Sequence, residues 1–304
     1  MDNVARSKGV LQLSAITAPL VDPVVDAFLG GPAPLQERVD AAVAELRRRR
    51  TAAARQRGAF TSLADRIDGW IRSDAPEHLD DPAFPEATKV QLVEALHRFN
   101  QAIGANDRFL RVLAPLVDEV VTRHGRPPRL LELASGSGEF ALQLAEEARR
   151  RDLRVRISGS DIVPAQVERA RRAAASRALD VDFRVVDATT MDGVDRGAFD
   201  IVFIAQSMHH FSPGLLARVL SAAHRVAAHA VVGVDGRRGL DKLLLVPGPA
   251  WLVPWTPHFH DAFLTARKFY SAAELEVIGR LAAPNAIVEV GSQGWVYSTL
   301  ILRS

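Results

Sequence analysis

The chain of 304 residues contains no cysteine, which excludes a disulfide framework, a thiolate zinc site and a cysteine nucleophile. It lacks any run of about 18 apolar residues, the length that a membrane-spanning helix needs. The most apolar stretch, Leu243 to Trp255, is broken by Pro247, Pro249 and Pro254. Arg6 and Lys8 precede a mildly apolar run near the start, but Gln12, Ser14 and Thr17 interrupt it, so no secretory signal is expected. Net charge is nearly absent as well. The 38 basic and 36 acidic side chains leave +2, which by itself announces neither a nucleic-acid nor a membrane binder. What remains is 48% hydrophobic and 24% charged, the texture of a globular protein with a sizeable core. A soluble, cytoplasmic protein is the expectation.

The texture changes at Pro127-Pro128. Before that point helical periodicity dominates: Leu35, Val39, Val43 and Leu46 recur on one face, and Leu63, Ile67, Trp70 and Ile71 mark a second amphipathic stretch. A third stretch is expected from about Glu86 to Phe99 and a fourth from about Arg108 to His124. After Pro128 short apolar runs alternate with helical patterns. Strands are expected at Arg129–Ala134, Val155–Ser160, Val181–Val186, Ile201–Ala205 and Ala230–Val234. Helices are expected at Gly138–Arg151, Pro164–Leu179 and Ser212–Ala227. Ala286–Val290 and Trp295–Leu302 are separated only by a tight Gly291–Gly294 turn, which predicts an antiparallel hairpin at one edge. The fold class is therefore α/β: a doubly wound, seven-stranded, mostly parallel sheet with an antiparallel C-terminal hairpin, preceded by a helical N-terminal region. We divide the chain into a helical extension (1–75), a helical lid (76–127) and a core (128–304).

Leu133-Ala134-Ser135-Gly136-Ser137-Gly138 sits where the first strand meets its helix, the place at which doubly wound folds bind nucleotides. No Gly-Lys-Ser/Thr follows, so this is not a phosphate-binding loop, and Ala141 leaves G-x-G-x-x-G incomplete. Asp161 ends the second strand and Asp187 the third, each at the sheet's ligand-facing end. A carboxylate after strand two suits a ribose diol, and one after strand three can accept from an adenine amino group. The competing reading of each is a helix cap.

In order along the chain stand Glu132-x-Ala134-x-Gly136-x-Gly138, Ser160-Asp161, Val186-Asp187-Ala188 and Phe199-Asp200-Ile201-Val202 leading to Ser207-Met208-His209-His210-Phe211. The set resembles class I S-adenosylmethionine (SAM) methyltransferases, with their Rossmann-like sheet, of a bacterial small-molecule and lipid-type subgroup. Ala134 replaces the first glycine usual in the family. The resemblance implies SAM as cofactor, with Ala134, Gly136 and Gly138 flanking its methionine part and Glu132 ordering the loop. Asp161 would hold the ribose, Ile162 would lie against the adenine, and Asp187 and Ala188 would read the adenine edge. Ala205, Gln206 and Ser207 would line the floor beneath the sulfonium. Asn100 or Arg108 would reach the SAM carboxylate.

The acceptor is narrowed by exclusion. The Pro-Pro-Tyr signature of adenine and glutamine methylation is missing, and cysteine-dependent cytosine or arsenic chemistry is impossible. A small apolar or aromatic metabolite is the expected substrate, methylated at a hydroxyl in the first reading and at a carbon or nitrogen in the second. Its base would be His260 with Asp261 beside it, and His209 is the second candidate; His210, His258 and Tyr270 are further ones. Trp251, Trp255 and Phe259 are candidates for an aromatic pocket wall. No metal is expected. Arg47 to Arg50 with Arg55 and Arg57 make an acid-free stretch, read as the solvated side of a helix. The rival readings are a methyltransferase of RNA or protein, with that helix as its docking element, and a non-catalytic SAM-binding module. Nucleic acid is not expected as a partner; the N-terminal helices are read either as the arm of a homodimer or as a roof over the substrate site.

Overall fold

The computed structural model describes residues 13–73, 104–238, 264–294 and 296–304. Four helices open the chain: α1 (Leu13–Thr17), α2 (Val21–Phe28), α3 (Leu35–Arg57) and α4 (Ala59–Ile71). After α5 (Ala105–His124) strands and helices alternate: β1 (Arg129–Leu133), α6 (Glu139–Arg150), β2 (Arg156–Asp161), α7 (Pro164–Ser176), β3 (Val181–Val185) and β4 (Phe199–Ala205). Then come α8 (Pro213–Val226), β5 (Ala227–Gly236), α9 (Ala272–Ala282), β6 (Ile287–Gln293) and β7 (Tyr297–Arg303).

The sheet has the order β3-β2-β1-β4-β5-β7-β6. The first five strands are parallel, and β7 enters antiparallel between β5 and β6. This is the expected fold. Gly291 lies inside β6, paired with Thr299, and the turn is made by Gly294 at φ +62°, so the hairpin turn is shorter than its glycines suggest. Because the winding reverses between β1 and β4, the loops leaving their carboxyl ends run to opposite faces of the sheet and leave a crevice. At the opposite end Asp200 pins the sheet. It accepts two bonds from the Arg126 guanidinium at 2.7 Å and one from the Arg129 backbone N–H at 2.8 Å. Burial works against the charge of Asp200, but the two guanidiniums overrule it and hold its carboxyl well below the usual range.

One face of the sheet is covered by α5, whose Phe109, Leu113 and Leu116 pack on Ile201, Phe203, Val232 and Val234. The other face is covered by α8 and α9, and the N-terminal helices join the same apolar core through Val24, Val25, Val39, Val43 and Leu46. The contact between α3 and α8 is close: a Cβ on Gly214 would collide with the Gln36 carbonyl, and Asp40 accepts the Gly214 N–H at 2.8 Å. An acid there also meets the positive end of α8.

Two expectations for the N-terminal helices need correction. The four apolar residues of the second amphipathic stretch do not share a buried side: Ile71 is buried, whereas Leu63 and Trp70 face outward. The inward face of α4 is taken by Asp65 and Asp68, because Arg50 is also buried and needs them, at 2.7 and 2.9 Å. Nor are Arg47 to Arg50 all on a solvated side. Arg47 reaches Glu274 of α9 at 2.7 Å, and Arg238, after β5, joins Asp68 and Glu274. The expected helix at Glu86–Phe99 lies outside the described residues.

Candidate cofactor site and active-site mouth

Beyond β1 the backbone enters the left-handed region three times, at Ala134 (φ +50°), Gly136 (+53°) and Gly138 (+76°). For alanine this costs about 1–2 kcal/mol, and it falls on the position where glycine is usual in the resembling family. The glycines do different things. A Cβ on Gly138 or on Gly159 of β2 would run into the Phe183 ring, so these two let the loop pack against the sheet. A Cβ on Gly136 would meet nothing within 4 Å, so its backbone borders open space. Ser135 Oγ is buried beside it with no hydrogen-bond partner among the described residues.

Glu132 points from β1 into the protein, where it accepts the Ala141 N–H of α6 at 3.0 Å. Burial pushes its carboxyl up to about 8; the Ala141 bond lowers it only partly, and neighbouring Asp161 raises it further. Asp161 crosslinks two loops. One oxygen accepts Gly136 N–H at 2.8 Å and the other Val163 N–H at 2.9 Å. A carboxylate has about four acceptor directions, so both oxygens keep one for a ligand. Beside it Ile162 stays 60% exposed, an apolar surface at the crevice. The residue capping α7 is Val163, not Asp161.

Asp187 curls back on its own loop: Oδ1 accepts Thr189 Oγ1–H at 2.7 Å and Thr189 N–H at 2.8 Å. These bonds hold its carboxyl below the usual range. Its second oxygen has no hydrogen bond among the described residues. Ala188 is half-buried against the core. After β4, Ala205 and Ser207 are half-buried and Gln206 takes φ +52°. The Gln206 N–H donates to Val234 O at 2.8 Å, and its side-chain amide donates to Tyr297 Oη at 3.3 Å. Arg108, in the first turn of α5, is half-buried and has no ion pair among the described residues. Its guanidinium lies against Gly294, near enough to the buried Tyr297 to affect that phenol.

His209 is buried under the mouth. Its backbone N–H donates to Asp235 at 2.8 Å, and its Nδ1 lies 2.9 Å from both Asp235 oxygens. A carboxylate only accepts, so Asp235 keeps the proton on Nδ1 and leaves Nε2 as the basic ring nitrogen. Phe269 meets the imidazole edge-on and fills the place where Gly236 has no side chain. Asp235 was missed from the sequence, although an acid at the end of a buried strand, in Val234-Asp235-Gly236, was the available signal. Tyr270 is excluded as a free base by its own bond, since its hydroxyl donates to Phe211 O at 2.6 Å from a buried position. His258, His260, Asp261, Asn100, Trp251, Trp255 and Phe259 lie outside the described residues.

Residues 130–230 match the family model of a methyltransferase domain. They form a class I SAM-dependent methyltransferase domain. The chain is 38% identical over 105 residues to a demethylmenaquinone methyltransferase of Thermus thermophilus, a stretch covering 33% of this chain and 46% of that one. A demethylmenaquinone methyltransferase of Deinococcus radiodurans is 36% identical over 86 residues, 28% of this chain and 34% of that one. The match thus spans less than half the length of these curated relatives. The fold extends further than the sequence match. The plantazolicin methyltransferase BpumL, solved with S-adenosylhomocysteine, superposes at TM-score 0.56 and 12% identity over 79% of this chain and 96% of its own. The glycine loop, Asp161 and Asp187 stand at the carboxyl ends of β1, β2 and β3 within or beside the matched residues. The open backbone at Gly136, the unpartnered Ser135 Oγ and the spare acceptors of Asp161 and Asp187 fit an adenosyl ligand.

Proposed function

We propose that this chain transfers the methyl group of SAM to a hydroxyl oxygen of a small apolar or aromatic metabolite. The observation that carries the reading is the convergence of three loops at the carboxyl ends of β1, β2 and β3, offering open backbone, Asp161 and Asp187 in turn. In this proposal Ala134, Gly136 and Gly138 flank the methionine part, with Glu132 ordering their loop. Asp161 takes the ribose hydroxyls, Ile162 lies on the adenine, and Asp187 and Ala188 read its edge. Ala205, Gln206 and Ser207 form the floor, and Arg108 pairs with the amino-acid carboxylate. The name of the matched relatives, demethylmenaquinone methyltransferase, supports an apolar acceptor of quinone type.

SAM, when bound, supplies the activated methyl group. The protein's own task is to align the acceptor and take its proton. We assign the proton to His260, with Asp261 orienting it, and give His209 the second place because Asp235 leaves its Nε2 basic. Incubation with methyl-labelled SAM and a panel of hydroxylated aromatics and quinols tests the activity directly. With a working acceptor, His260→Ala is expected to lower single-turnover transfer by about 10²–10⁴-fold while SAM affinity stays unchanged. A full rate in that variant removes His260 from the base role.

A further inference from the structure

The outward face of α4 is apolar where a helix of a closed core would be polar. Phe60 is 74% exposed, Trp70 82% and Leu63 about half, and Ile67 lies among them. At 100° per residue these four fall within about a quarter of the helix circumference. Three arginines border the stripe: Arg55 and Arg57 in the last turn of α3, and Arg66 beside Leu63 and Trp70. All three are exposed and have no ion pair among the described residues. Both acids of α4 are turned inward, Asp65 and Asp68 being held by Arg50 and Arg238. Among the described residues the outward face is therefore apolar and purely cationic, in a chain whose net charge is only +2.

We infer that this corner of α3 and α4 docks on an anionic lipid surface. An interfacial helix lies in the membrane plane with tryptophan, phenylalanine and leucine among the acyl chains and arginines at the headgroups, which is the distribution found here. A second copy of the chain fits the face poorly, because a two-fold contact would set arginines against arginines with no acid to meet them. An RNA partner would use the aromatics for stacking, but Leu63 and Ile67 occupy the middle of the stripe and offer no ring. The location also has a use. The Trp70 end of α4 is tied to the carboxyl end of the sheet, by Arg238 to Asp68 at 3.0 Å and by Arg267 to Ile71 O at 2.6 Å. Docking there places the active-site mouth beside the surface in which an apolar acceptor would be dissolved.

Co-sedimentation with phosphatidylcholine vesicles, with and without phosphatidylglycerol, tests the inference. The full chain is expected to sediment with the anionic vesicles only, and added salt should release it. Trp70→Ser should weaken binding about tenfold. Arg55→Glu with Arg57→Glu should weaken it by more than about fivefold per arginine. All three substitutions are on the surface, so melting temperature and SAM affinity should match the wild type. SAM titration of the same samples reports on the methyltransferase reading separately. Three outcomes overturn the inference: no sedimentation with anionic vesicles, binding indifferent to these substitutions, or a Trp70→Ser effect confined to dimerisation or RNA binding.

Discussion

Glu132 shows how one side chain can be both a motif residue and a liability. It is buried with a single backbone hydrogen bond, and its carboxyl is raised to about 8. A raised acid binds its proton more tightly in the folded than in the unfolded chain. Between pH of about 4.5 and 8 the unfolded state therefore holds fewer protons, and stability falls as pH rises through that window. Glu132→Gln is expected to flatten this slope and to be the more stable form at pH 8, by on the order of a few kcal/mol. Urea unfolding of both proteins at pH 5 and pH 8 measures the difference; parallel slopes would show that Glu132 is ionised throughout. The sequence marked Glu132, Gly136, Asp161 and Asp187 because short-range order fixes them: each lies within a residue or a few of a strand end. Asp235 was not legible in the same way. Its meaning comes from pairing with His209, 26 residues away in sequence, and only the β4–β5 register brings the two together.

At the level of elements the N-terminal helices are joined to the core by charge as well as by apolar contact. Arg50, Asp65, Asp68, Arg238, Glu274 and Arg47 form a continuous network linking α3, α4, the end of β5 and α9. Burial alone would raise the carboxyl of Glu274, but Arg238 and Arg47 overrule it and hold it well below the usual range. Removing one member strands the others. Glu274→Ala is expected to cost about 3–5 kcal/mol, since it takes one of two carboxylates from the buried Arg238 guanidinium and the partner of half-buried Arg47. Chemical denaturation checks this, and a loss below 1 kcal/mol would mean that water replaces the carboxylate. The strands and helices α5 to α8 were legible from alternation and period, to within a few residues at each end, whereas core helix α9 was not marked. The polarity of α4 was not, because buried Arg50 drew its acids inward and pushed Leu63 and Trp70 out. An isolated sequence period cannot register that exchange.

For the molecule as a whole, α2 and α3 share the core that holds β4, α8 and α9, and the charge network adds α4 to it. Heat is therefore expected to unfold residues 13–71 together with the sheet, in one calorimetric transition. A separate early transition removed by deleting that region would contradict the shared core. The methyltransferase domain covers the middle of the chain, and the loops proposed for the cofactor could be marked because they stand at strand ends. The acceptor was not readable, since nothing local to a strand end specifies it. Calorimetric titration of SAM into the wild type and Asp161→Ala tests the cofactor assignment most directly. Asp161 would contribute charge-assisted bonds to the ribose of about 1.5–3 kcal/mol. The wild type should bind SAM at one site, and Asp161→Ala should bind it about ten- to a hundredfold more weakly. No binding by the wild type, or equal affinity in the two proteins, would contradict the assignment of this crevice to SAM.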